Sequence, residues 1–210
     1  MSITEDRNNR FKEVAANRQL DITVVLENVH DAHNIGAVLR TCDSVGIGEI
    51  FVLNTDIRLK DKGLFFGKAS SSGTRKWVKV NYYEEAGECF AHVKAEYKSI
   101  FGTHLDKDSV SLYDLDLVSS CALVFGNEHS GISNESLNYL DGNFIIPQYG
   151  MVKSLNISVA CAITLYESCR QRINSGKYEN SKNLYEKALD QYHKLMEIDK
   201  RSSRKDVGGD

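Results

Sequence analysis

The chain has 210 residues, 41% of them hydrophobic and 26% charged, a balance that excludes a fibrous or disordered protein and points to one folded domain with short appendages. No stretch approaches the roughly 18 apolar residues of a membrane span, and the charged N-terminus lacks the apolar middle of a signal peptide, so a cytoplasmic protein without membrane contact is expected. The formal charge of −3 argues against indiscriminate nucleic-acid binding. From the N-terminus, a helix over about 4–18 carries Arg7, Arg10, Lys12 and Arg18. Short β-branched apolar runs at 22–29, 49–54, 77–80, 99–104, 121–126 and 143–147 predict buried strands. Helical patterns at about 34–45, 83–97 and 133–140 alternate with them, which predicts an α/β domain with a mostly parallel sheet and helices on both faces. The segment 155–174 is apolar on nearly every side until Glu167. Such a helix needs cover on two sides, one from the sheet and the other from a second subunit or, for a central helix, from the rest of its own chain. A last helix over about 181–198, with Leu184, Ala188, Tyr192 and Leu195 on one face, leads into the basic cluster 200–205, and residues 206–210 are expected to be disordered.

The net charge conceals a contrast between regions. Residues 1–20 carry four basic and three acidic groups and residues 168–210 carry ten and seven, so the ends are net +4. The remaining 12 basic and 19 acidic groups make the middle −7. A polyanion would be met by the ends. The five cysteines have no zinc-type spacing and are expected to be reduced and mostly buried, with no metal site.

Nucleotide signatures are missing. There is no phosphate-binding G-x-x-x-x-G-K-[ST], and Gly46-Ile47-Gly48 follows a helix and precedes a strand, the reverse of a dinucleotide fingerprint. Three polar clusters stand directly after strands, where open α/β sheets place ligands. In 30–41, Asn34 is a candidate helix cap, and Gly36 and Arg40 share a face. In 124–131, an apolar strand ends in Gly126, Asn127 and Glu128, and Ser133 then starts a helix. In 145–160, Ser154 is a natural cap for the long helix, and Asn156 is polar without a packing need.

The motifs N-x-G-A-x-x-R (34–40), F-G-N-E-x-x-G (125–131) and I-P-x-x-G-x-x-x-S-L-N-x-S-V-A (146–160) strongly resemble those of the SpoU/TrmH branch of the SPOUT methyltransferases, over about residues 20–175. Within that branch, the short chain, the phrases at 102–106 and 150–156 and the basic terminal helices look most like enzymes that methylate the ribose 2′-oxygen of a D-loop guanosine in tRNA, at position eighteen. The resemblance implies a C-terminal trefoil knot, a homodimer, and three parts: an N-terminal basic helix (1–20), the methyltransferase domain (21–175) and a C-terminal helix with a basic tail (176–210). It implies S-adenosylmethionine as cofactor, held by Thr103, Gly126, Ile146 and Leu155. It implies a catalytic set of Arg40, Asn34, Glu128, Ser154 and Asn156, with Arg40 foremost. Whether Arg40 is a base or an orienting group stays open. A guanidinium is protonated at any working pH, so gripping a phosphate and orienting the hydroxyl is the physically easier role. RNA would meet His33 and the flanking Arg7, Arg10, Arg18, Arg170 and Arg172, with Lys200, Arg201, Arg204 and Lys205 behind. The alternatives are ribosomal RNA or another tRNA position as target, or an RNA-binding protein without activity. About 20 residues before the first strand leave no room for a separate N-terminal RNA-binding domain, which favours tRNA.

Overall fold

The computed structural model describes residues 4–56, 76–178 and 185–205. In chain order the elements are α1 (Glu5–Ala16), β1 (Ile22–Glu27), α2 (Ala32–Ser44), β2 (Glu49–Leu53), β3 (Lys79–Tyr83), α3 (Ala86–Glu96), β4 (Ser99–Thr103), β5 (Val110–Ser111), β6 (Cys121–Phe125), α4 (Asn134–Leu137), β7 (Gly142–Ile145), α5 (Ile157–Asn174) and α6 (Tyr185–Lys205). The strands form one seven-stranded sheet in the order β3-β2-β1-β6-β4-β7-β5, and every pairing is parallel.

The apolar runs are continuous because both faces of the sheet are covered. Val24 and Leu26 of β1 face one way, in a core shared with Val38 and Leu39 of α2 and Cys161 and Leu165 of α5. Val25 faces the other way, with Phe51, Val124 and the α3 residues Cys89, Phe90 and Val93. Each such side chain contributes about 1.5–3 kcal/mol by leaving water. The register sets Val24 beside Ile50 of β2 and Leu123 of β6.

Several expected boundaries move. β3 begins at Lys79 rather than residue 77, and its run includes Asn81 and Tyr82. As the outermost strand on its side it does not need an apolar sequence. The two-residue β5 is too short to leave an alternating pattern. The helix expected over 133–140 is a single turn capped by Ser133. Basic residues 200–205 continue α6 instead of following it, while Leu184 and residues 206–210 lie outside the described residues. All five cysteines are free thiols and four are buried; burial pushes the thiol pKa of Cys89 and of Cys121 up to about 12. The four buried cysteines are neutral packing groups rather than nucleophiles.

The terminal helices pack on each other. Phe11 and Ala15 of α1 meet Leu195 of α6, Tyr192 donates to Asn8, and Arg7 forms a two-pronged ion pair with Asp199. Basic sequence at the two ends of the chain therefore converges on one helical pair.

A candidate ligand site at the switch point of the sheet

Strand order reverses between β1 and β6. The chain leaving β1 turns into α2 on one face, and the chain leaving β6 turns toward α4, whose leading Ile132 packs on the other face. A crevice opens at the carboxyl ends where such connections part, and two cavities lie there.

The first, of about 510 Å³, lies beyond the ends of β6, β4 and β7. Thr103, Gly126 and Ile146 line it from those strands, and Ser154 and Leu155 line it from the segment before α5. Its apolar wall includes Phe125 and Phe144, whose rings meet edge to face at 6.5 Å. An apolar wall with a few fixed polar groups, in a volume of this order, suits an organic cofactor. All four residues expected to hold one are here.

The second cavity, of about 620 Å³, shares Asn127, Glu128, His129 and Ser130 with the first and is otherwise polar, with His30, Asp31, Asn34, Asp56 and Asn156 in its lining. Loop 127–130 is thus a partition. On it, Glu128 accepts from Asn34 Nδ2 at 2.7 Å. Asn34 Oδ1 in turn accepts from Asn156 Nδ2 at 3.2 Å. Three residues named from three separate motifs form one hydrogen-bonded chain.

The caps differ from expectation. Asp31, rather than Asn34, caps α2 by accepting from the His33 amide at 2.8 Å, so the Asn34 side chain serves the site instead. Asn156, rather than Ser154, caps α5, accepting from the Ser158 amide and hydroxyl. Ser154 is left to the cavity wall.

Gly126 is fixed by a close approach. A Cβ there would stand 2.2 Å from the carbonyl carbon of Gly131 and 2.3 Å from the Ile132 nitrogen, both main-chain atoms that cannot turn aside. Gly126→Ala is expected to cost about 1–3 kcal/mol, read as a lower urea midpoint. An unchanged midpoint would mean that the loop shifts freely.

Arg40 is not in either lining. It lies six residues beyond Asn34, about 9 Å along α2, on the exposed surface. His33 is likewise exposed on the first turn.

Two of the arginines expected at the RNA are interior groups. Arg18 is buried and donates to the carbonyls of Ile47 and Trp77 at 2.9 and 2.8 Å, beside Asp43; burial lowers its pKa. Arg172, 1% exposed, donates to the carbonyls of Leu117 and Ser119, to Gln19 and to Asp21. Their guanidinium groups supply charged donors to main-chain carbonyls inside the fold. Arg10 and Arg170 are surface groups paired with Glu13 and Glu167. Among the described residues, one carboxylate–imidazole trio, Glu49, His92 and Glu96, stands at the opposite end of the sheet, where Lys79 and Asn81 engage Glu49.

Residues 21–166 match the SpoU rRNA Methylase family. The tRNA (guanosine(18)-2′-O)-methyltransferase of Thermus thermophilus is 39% identical over 189 residues, covering 89% of this chain and 95% of that protein. The crystal structure of the Aquifex aeolicus TrmH/SpoU tRNA modifying enzyme superposes with a TM-score of 0.73 at 31% identity, covering 90% of this chain and 96% of that one. The SpoU methyltransferase AviRb of Streptomyces viridochromogenes, in complex with AdoMet, superposes with a TM-score of 0.63 at 27% identity over 74% of this chain and 59% of that one. With the family's pattern spanning most of the sheet and both cavities, the chain belongs to the SpoU methylase family.

Proposed function

We propose that this protein is an S-adenosylmethionine-dependent methyltransferase that modifies the ribose 2′-hydroxyl of guanosine 18 in tRNA, in the cytoplasm. The observation that carries this reading is the pair of adjoining cavities, one fit for an organic cofactor and one polar, separated by the loop bearing Glu128. The similarity to a tRNA guanosine-18 enzyme over 89% of the chain supports the target.

When bound, S-adenosylmethionine supplies a sulfonium methyl group. Transfer of that methyl to the ribose 2′-oxygen would require the hydroxyl to give up its proton, to water or a phosphate, and would leave S-adenosylhomocysteine as the second product. The chain's own residues would do the aligning. Thr103, Gly126, Ile146 and Leu155 would hold the donor, with Ser154 beside them. Asn34, Glu128 and Asn156 would fix the partition between donor and ribose. Holding the reactants in line can be worth about 7–11 kcal/mol of barrier. Arg40, on the exposed surface of α2, would grip the incoming RNA and orient the hydroxyl.

The reading includes a trefoil knot and a homodimer. β7 lies between β4 and β5, two strands laid down before it, which supports a threaded crossover. Val159, Tyr166 and Ile173, spaced by seven on α5, are 45%, 56% and 52% exposed, and a second copy would cover this stripe. Residues 21–175 form the methyltransferase domain, with the appendages 1–20 and 176–210 acting as one RNA-capturing unit.

RNA capture would rest on Arg7, Arg10, His33, Arg170 and the basic end of α6. With about three phosphate contacts, tRNA affinity is expected to fall about 20- to 40-fold between roughly 50 and 200 mM salt, measured by filter binding; a flat response would contradict capture by charge.

The test of function is methyl transfer from labelled S-adenosylmethionine to unmodified tRNA and to ribosomal RNA, followed by mapping of alkali-resistant linkages. One such linkage after tRNA guanosine 18 is expected. Label in ribosomal RNA, or at another tRNA position, would reassign the target, and no label in either would remove the activity.

A further inference from the structure

Glu27, the last residue of β1, carries a fully buried carboxylate that the mechanism above leaves unused. Taking such a group from water costs several kcal/mol unless its oxygens find donors. Here they do: one accepts from the Ser133 amide at 3.1 Å and the other from the Ser136 hydroxyl at 2.8 Å. Capping α4 does not explain the arrangement, because Ser133 Oγ already accepts from the Ser136 amide. What Glu27 secures is the far end of the partition loop.

The near end is secured by the residue that directly follows the strand. The Asn28 carbonyl accepts from Asn127 Nδ2 at 2.9 Å, and Asn28 itself sits at φ +52°, an uncommon conformation held by its side-chain bonds to Thr55 and Asp56. Between these anchors the loop closes on itself. Asn127 and Gly131 exchange main-chain hydrogen bonds at 3.0 and 2.9 Å, and Asn127 Oδ1 accepts from the amides of His129 and Ser130. Glu128 rides on this closed loop, and its partner Asn34 follows from the same strand end. The end of β1 thus sets both sides of the Glu128–Asn34 contact.

We propose that Glu27 is a positioning residue for methyl transfer: its buried carboxylate pins loop 127–133, fixing Glu128 against Asn34 and keeping the wall of the donor cavity in place. The inference rests on the reading that this cavity takes the donor. Glu27→Met removes both acceptors at similar volume. Glu27→Gln restores both bonds, its amide oxygen accepting from Ser133 and its NH₂ donating to Ser136 Oγ once that hydroxyl turns.

The experiment pairs hydrogen exchange of amides 127–133 with calorimetric titration of S-adenosylhomocysteine. In Glu27→Met, exchange at these amides and the dissociation constant should each rise about tenfold, the scale of one or two lost hydrogen bonds, with exchange in β1 and β2 unchanged. Glu27→Gln should stay within about threefold of the parent on both measures. Parent-like behaviour of Glu27→Met, or a glutamine variant as impaired as methionine, would overturn the proposal. Should Glu27→Met fail to fold, Ser136→Ala removes one of the two bonds and should loosen the same amides; unchanged exchange there would overturn it equally. A parent protein that fails to bind S-adenosylhomocysteine would refute the donor cavity, while the exchange comparison would still decide what Glu27 holds.

Discussion

Arg172→Met is expected to lower the stability of the fold by about 2–4 kcal/mol, the scale of leaving buried main-chain acceptors short of a charged donor, since the part-exposed Asp21 keeps Lys177 as a partner. Against a typical total of about 5–15 kcal/mol, this is a large loss. The guanidinium ties α5 to the main chain before β6 through Leu117 and Ser119, at 2.8 and 3.1 Å, and to the segment before β1 through Gln19 and Asp21. Methionine would fill much of the volume, take the guanidinium donor from the Ser119 carbonyl and leave the Leu117 carbonyl with the longer bond from the Ser168 hydroxyl, at 3.4 Å. Urea unfolding measures the loss; an unchanged midpoint with weakened tRNA binding would return Arg172 to the RNA surface. The acid limb gives a second reading. Burial pushes the Asp21 carboxyl up, but hydrogen bonds from Arg172 and Lys177 outweigh it and hold it below the usual Asp range. A depressed carboxyl stabilises the fold above its unfolded pKa and loses that contribution as pH falls through its folded value. The parent should therefore lose stability below about pH 4, and Arg172→Met should show a shallower decline.

Arg40→Ala is expected to reduce methyl transfer on the order of 100-fold, the scale of misplacing a reacting group, while leaving S-adenosylhomocysteine binding unchanged. The side chain is exposed and outside the lining of the donor cavity, so the donor should not register its loss. Arg40→Lys should recover little, because an ammonium keeps the charge but not the planar two-pronged grip. Single-turnover rates with saturating donor would show this. Nearly full recovery in Arg40→Lys would make charge, not geometry, its contribution.

The sheet could be read in the chain because strands covered on both faces appear as unbroken apolar runs, as at Ile22–Glu27 and Cys121–Phe125. β3 and β5 were harder for the opposite reason, one being an edge with polar positions and the other two residues long. The candidate site was legible as three motifs after three strands. Their assembly was not: spacing alone does not reveal that Asn34 bonds to both Glu128 and Asn156, nor that Asp31 takes over the cap of α2. Arg18 and Arg172 were misplaced because an arginine in a basic segment has the same sequence whether it faces water or a buried carbonyl. For Arg172 a signal existed, since it continues the buried stripe of Ile157, Cys161, Leu165 and Ser168 along α5. Glu27 also had one, as a carboxylate closing an otherwise apolar strand.

A crystal structure with S-adenosylhomocysteine bound tests the central claim most directly. The account predicts the ligand in the cavity between Thr103, Gly126, Ile146 and Leu155, with its sulfur facing the Glu128 partition and the chain around it threaded. The ligand lodged elsewhere, or residues 121–160 running past one another without a knot, would contradict it.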